Sequence, residues 1–171
     1  MFLRIKKIDG KEYAYIVQNK WKKNPTGNGK KGARQKVKGY LGRVFSFSRL
    51  NNAGFFESLS ITDIEKYIKE KSKGQMISDL VFWEMKRHGV SKESIEFEKS
   101  SIKRDNKPCC IKINEGMLCG YTLSNLFNFK LESDEREEGF RLAKAFVDAG
   151  IEVPKELFIG MYEKIVGHGY Q

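Results

Sequence analysis

Lysine, arginine and tyrosine recur at every second position in three short runs: Arg4 and Lys6, Tyr13 and Tyr15, then Arg34, Lys36, Lys38 and Tyr40. Alternate residues of an extended strand share a face, so this spacing aims cations and flat rings in one direction. Cations neutralise phosphates and aromatic rings stack on bases, which is the chemistry of nucleic-acid contact. Lys20, Trp21, Lys22, Lys23, Lys30 and Lys31 fall between the second and third runs, in and beside the stretch KKNPTGNGKKGA, and Arg43 follows the third. A loop of that composition can track a phosphate backbone.

A strand face rich in lysine also arises simply to discourage edge pairing. The charge distribution argues against that explanation. Residues 1–50 hold 14 Lys/Arg against Asp9 and Glu12, a net of +12, whereas the remaining 121 residues hold 18 against 20, a net of −2. Solubility is served by mixed signs; a polarised charge implies that one end meets a polyanion.

Other groups with chemical potential read as structural. Glu132, Asp134, Glu135, Glu137 and Glu138 cluster where a helix is expected to begin, and acids there favour the positive end of the helix dipole. His88 closes another expected helix with no partner near in sequence. The Gly27–Gly32 stretch lacks the spacing of a phosphate-binding loop and opens no helix. Cys109, Cys110 and Cys119 are odd in number and offer no C-x-x-C; they read as buried thiols in a reducing, cytoplasmic compartment. Since Cys109 and Cys110 would face opposite sides of a strand, at most one of them could share a site with Cys119. No metal, no cofactor and no catalytic residue is expected, and no apolar run is long enough for a membrane span.

The elements that must position the basic face follow from local signals. Asp9-Gly10 between two β-prone runs predicts a type I′ hairpin, with Lys6 opposite Tyr13, Arg4 opposite Tyr15, Leu3 opposite Ile16 and Ile5 opposite Ala14. A third strand over 34–42 would place Arg34, Lys36, Lys38 and Tyr40 on one face and Gln35, Val37 and Leu41 on the other. Leu3, Ile5, Ile16, Val37 and Leu41 would pack on the body. Beyond a connection at 45–60, Thr62 and Glu65 match a capping box opening a helix to Lys71. A second helix covers 75–88, with Gly89 as its stop. Ile95–Lys103 and Cys109–Ile113 form a second hairpin, and three further helices run from Thr122, over 134–149 and over 154–166. Leu80-Val81-Phe82-Trp83 and Phe158-Ile159-x-x-Tyr162 mark apolar helix faces, suited to a core or to a protein partner or homodimer.

The order Gly10-Lys11-x-Tyr13-x-Tyr15-Ile16-Val17, Trp21, Lys31, Arg34-Gln35-Lys36-Val37, Tyr40-Leu41-Gly42-Arg43 resembles the N-terminal segment of DDE-type insertion-sequence transposases. It is also similar in plan to three-stranded DNA-binding sheets at the N-termini of some integrases. The resemblance spans residues 8–44 and implies a DNA-binding module. Residues 60–171 share nothing with those families and are too short for the usual transposase catalytic domain.

The sequence therefore predicts an α+β protein. A basic β-sheet module over 1–50, a three-stranded antiparallel meander, packs on a mainly helical part over 60–171 with an inserted hairpin near 95–119. The function it predicts is non-enzymatic nucleic-acid binding, with DNA favoured by the resemblance alone. Structured RNA, including ribosomal RNA, is the alternative ligand. A metal-dependent nuclease using the C-terminal carboxylates, or an adaptor whose helices bind protein, are the alternatives of other classes.

Overall fold

Both residues of the Asp9-Gly10 pair have positive φ, +49° and +75°, as a type I′ turn requires. The turn joins β1 (Phe2–Ile8) to β2 (Lys11–Lys22) with Lys6 across from Tyr13, Arg4 from Tyr15, Ile5 from Ala14 and Leu3 from Ile16. β3 (Gly32–Ser46) pairs antiparallel with β2 and completes the meander. The protein is described as a computed structural model covering residues 1–22, 32–91, 95–98, 100–131 and 135–169, with backbone alone at 21, 22, 32, 33, 135, 136, 168 and 169.

The fold is α+β. After β3 come α1 (Phe55–Ser58), α2 (Ile64–Glu70) and α3 (Lys73–Arg87), then four strands, β4 (Glu96–Glu98), β5 (Ser101–Arg104), β6 (Lys107–Ile113) and β7 (Gly116–Leu118). Three helices follow: α4 (Gly120–Phe127), α5 (Glu135–Ala149) and α6 (Lys155–Gly169). The strands form one mixed sheet in the order β1-β2-β3-β6-β5-β4, with β7 also on β6. The expected single strand over Ile95–Lys103 is instead a hairpin of its own, β4 against β5, because the chain reverses after Glu98.

The meander meets the rest of the molecule edge-on as well as by packing. Arg43–Ser46 of β3 pair in parallel with Cys109–Lys112 of β6. Gly42 makes that junction possible: its φ is +126°, and a Cβ there would lie 2.2 Å from the Pro108 carbonyl oxygen. Leu3 and Leu41 do pack beneath the sheet, against Ala14, Val44, Cys110, Met117 and Cys119, and Ile16 is buried. Ile5 and Val37 are exposed, contrary to the expected packing face. Val37 lies across from Val17, on the opposite side of the sheet from Ile16.

The main core lies on the other side of β6 and β7. Ile111, Ile113 and Leu118 meet Ile77 and Leu80 of α3, Leu123 of α4, Phe146 of α5 and Leu157 of α6. Local signals set the helix ends. Asp63, rather than Thr62, caps α2 by accepting from the Lys66 amide at 2.9 Å, because Asp63 is the last residue with extended backbone. Ser72 and Gln75 form a reciprocal capping box on α3. Gly89 ends α3 at φ +65°, and the Val90 amide donates to the Met85 carbonyl at 2.9 Å, closing the helix as left-handed glycine caps do. Among the described residues no helix is long and apolar enough to cross a membrane.

Candidate nucleic-acid interface

The hairpin register brings Arg4, Lys6, Tyr13 and Tyr15 to one face, and β3 adds Tyr40 across from Tyr15 and Arg43 across from Tyr13. The three tyrosines form a patch: Tyr40 lies 5.4 Å from Tyr15 and 6.4 Å from Tyr13, ring centre to ring centre, in tilted contact. Lys6 sits 5.1 Å over the Tyr15 ring, a geometry in which the ring's negative face attracts the ammonium. Tyr40 is 51% exposed while its two neighbours are half-buried, so it presents its ring outward. Partial burial, then the neighbouring Tyr13 and Tyr15 hydroxyls, push its hydroxyl above the ordinary tyrosine range.

The remaining cations of β3 do not share this face. Two register shifts, between Ala14/Tyr15 and Ile16/Val17, leave Leu41 and Lys38 without partners on β2. Each extra residue resets the alternation. In consequence Gln35 and Val37 join the tyrosine side, while Arg34 and Lys36 lie across from Lys20 and Gln18, on the side of Ala14 and Ile16. A hydrogen bond from Arg4 to Gln35 fits that placement. Lys38 is exposed at the second irregularity. Gly39 and Gly42, across from Ile16 and Ala14, flank the two shifts; glycines inside a strand pattern are the signal that could have located them.

Pairing with β1 ends at Phe2 and Val17, beyond which β2 and β3 run on as a two-stranded ribbon among the described residues. Lys20 and Arg34 are directly opposed on it, and both are exposed along with Lys36. Trp21 and Lys22 belong to the same ribbon through their backbone register with Ala33 and Gly32. Lys23, Lys30 and Lys31, with most of the glycine-rich stretch, lie outside the described residues.

One cation on the tyrosine side was not anticipated. Arg104 of β5 lies 4.6 Å from the Phe45 ring, and Arg43 lies 4.8 Å from the same ring. Only the crossover that sets β6 beside β3 brings Arg104 there, and no local pattern announces it.

A second group of ionisable side chains is buried at the end of α3. Glu84 is fully buried, and Arg87 donates to it at 3.4 Å and to Glu152 at 2.8 Å. Asn114 donates to Glu84 at 3.0 Å and accepts from Arg49 at 2.7 Å, while Arg49 also pairs with Glu152. Partial burial opposes ionisation of Glu152, yet its bonds to Arg87 and Arg49 hold its carboxyl below the usual carboxylate range. His88 is buried here as the cap of α3, its Nδ1 2.9 Å from the Glu84 carbonyl oxygen. These groups bond one another, apart from the buried Arg87 Nε, which has no hydrogen-bond partner among the described residues, and tie α3 to the β6–β7 turn and the α5–α6 connection.

Of the acidic cluster, Glu132 and Asp134 lie outside the described residues, Glu137 is exposed, and Glu138 is buried and paired with Arg141. Among the described residues no group of three or more His, Cys, Asp or Glu side chains converges on a metal position. Leu80, Val81 and Trp83 are core, while Phe158 and Tyr162 are half-buried. Compared with known proteins, the chain matches no protein-family model, no curated protein and no solved structure.

Proposed function

We propose that this protein binds duplex DNA without catalysis, through the β2–β3 ribbon and the adjoining tyrosine face. The observation that carries the reading is the pair Lys20 and Arg34, two cations directly opposed on an exposed two-stranded ribbon. Like charges directly opposite destabilise a sheet, and no acidic side chain of the ribbon offsets them. A polyanion would. The B-form major groove, about 12 Å wide, admits a two-stranded ribbon, whereas the A-form groove of RNA is too deep and narrow for side chains to read. The likeness of residues 8–44 to transposase N-terminal segments supports DNA in the same sense. The outward ring of Tyr40 favours a second reading, stacking on unpaired bases of single-stranded or structured RNA.

The test is the salt dependence of binding to duplex DNA, duplex RNA and single strands, followed by fluorescence anisotropy. Duplex DNA is expected to bind tightest. Changing Lys20, Arg34 and Lys36 together to alanine should flatten the slope of log affinity against log salt by about 0.9 for each phosphate no longer neutralised. An unchanged slope removes the ribbon from the interface, and tighter binding of single strands favours the second reading.

A further inference from the structure

The β6–β7 register pairs Ile111 with Leu118 and Lys112 with Met117. One residue further along, the same register sets Cys110 across from Cys119. Directly opposed residues of antiparallel strands share a face, with Cα atoms about 4.5–5.5 Å apart, inside the range of about 4.4–6.8 Å that a disulfide spans. Both side chains are fully buried in the small cluster beneath the sheet. Cys109, one residue away, turns to the opposite face and into the main core.

The two thiols are chemically unequal. Cys119 is the N-cap of α4, and its Sγ lies 3.6 Å from the Thr122 hydroxyl. The hydrogen bond from Cys110, helped by Thr122 and the first amides of α4, outweighs burial and brings the Cys119 thiol down to about 6. Cys110, held to Cys119 and 3.6 Å from the Leu41 carbonyl oxygen, is pushed up and keeps its proton. Burial pushes Cys109 up to about 11. A cleft of about 520 Å³ borders this cluster, lined by its members Leu3, Met117 and Tyr121 and by Thr122, the residue that bonds Cys119.

We propose that Cys110 and Cys119 form a peroxide-oxidisable dithiol, a site of reversible disulfide formation that stands independently of the nucleic-acid reading. The Cys119 thiolate attacks one oxygen of hydrogen peroxide and the O–O bond breaks. Hydroxide leaves and takes up the proton Cys119 has released, giving water and a Cys119 sulfenic acid. Cys110 sulfur then attacks the Cys119 sulfur, the S–O bond breaks, and the hydroxyl leaves with the Cys110 proton as a second water. Two thiols lose two electrons and two protons, and the peroxide is reduced to two waters. A dithiol reductant reverses the change by exchange.

The test uses the full chain, folded and reduced, exposed to hydrogen peroxide, quenched, unfolded and alkylated for mass spectrometry. From three free cysteines, alkylation is expected to fall to Cys109 alone, with a Cys110–Cys119 linked peptide in the digest. Dithiothreitol should restore all three. With Cys110→Ser the second step is blocked, and dimedone should label Cys119. Three alkylatable thiols after peroxide, or a bond to Cys109, would overturn the proposal. So would disappearance of the free pair only at the rate at which the Ile111 and Leu118 amides exchange hydrogen, since the fold would then have to open first. The wild-type measurement decides even where the serine variant does not fold.

Discussion

Arg87 and Arg34 both sit in regular secondary structure, and the protein treats them in opposite ways. Arg87 is 5% exposed, lies 4.3 Å from the Trp83 ring, and is met by the carboxylates of Glu84 and Glu152. Arg34 is exposed on a ribbon and faces Lys20. Burying an ion strongly selects for partners, because desolvation is compensated only by charge and hydrogen bonds close at hand. An exposed cation is under no such demand, and water screens its repulsion. The group at the end of α3 therefore closes its charges on themselves, while the ribbon leaves its charges open to solvent. Changes made in each region separate stability from binding.

The largest effect is expected in the body. Arg87→Met would leave the fully buried Glu84 with neither its main cation nor a path to water. Removing one member of such a pair destabilises by about 3–5 kcal/mol, to be read as a lower midpoint in urea at an unchanged slope. Adding Glu84→Met should recover part of the stability, since two apolar side chains leave no orphaned charge. DNA binding by the fraction that remains folded should be unaffected. A drop in binding as large as the drop in stability would show that the two regions are not independent.

A smaller effect is expected where the regions join. At Gly42 a new Cβ would meet Pro108 and Cys109 backbone atoms at 2.2–2.6 Å, and φ is +126°. Gly42→Ala should destabilise by about 1–3 kcal/mol, and faster hydrogen exchange should appear at the β3–β6 pairs first. Gly39→Ala, with nothing within 4 Å of its Cβ and no positive φ, is the control and should change little.

Much of the fold could be read locally, and the reason is visible in particular residues. Asp9-Gly10 sets a turn and, with it, the whole register of β1 on β2. Gly89 and Gly150 end α3 and α5 at φ +65° and +75°, as their place after helical runs predicts. What could not be read depends on partners far apart in the chain. Glu84 bonds the Glu152 amide across 68 residues, and Arg104 reaches Phe45 only because β6 returns beside β3. The candidate site was half legible. Strict alternation placed Arg4, Lys6, Tyr13, Tyr15 and Tyr40 together, but one inserted residue, Lys38, carried Arg34 and Lys36 to the other face. The proposed interface is accordingly two cationic surfaces on opposite sides of the meander rather than a single basic plane.

The smallest change sharpens the contrast most. Arg34→Glu places a carboxylate directly across from Lys20, turning a repulsive cross-strand pair into an attractive one. Opposed pairs of this kind are worth roughly 0.2–1 kcal/mol, and the exposed position keeps the gain at the low end. Thermal unfolding should therefore shift upward slightly, with the shift fading in high salt. Affinity for duplex DNA should move the other way and by more, because a phosphate that had met a guanidinium would now meet a carboxylate. A ribbon that existed only as a solvated edge would gain stability and bind as before. A ribbon kept cationic for a polyanion gains stability and loses affinity together.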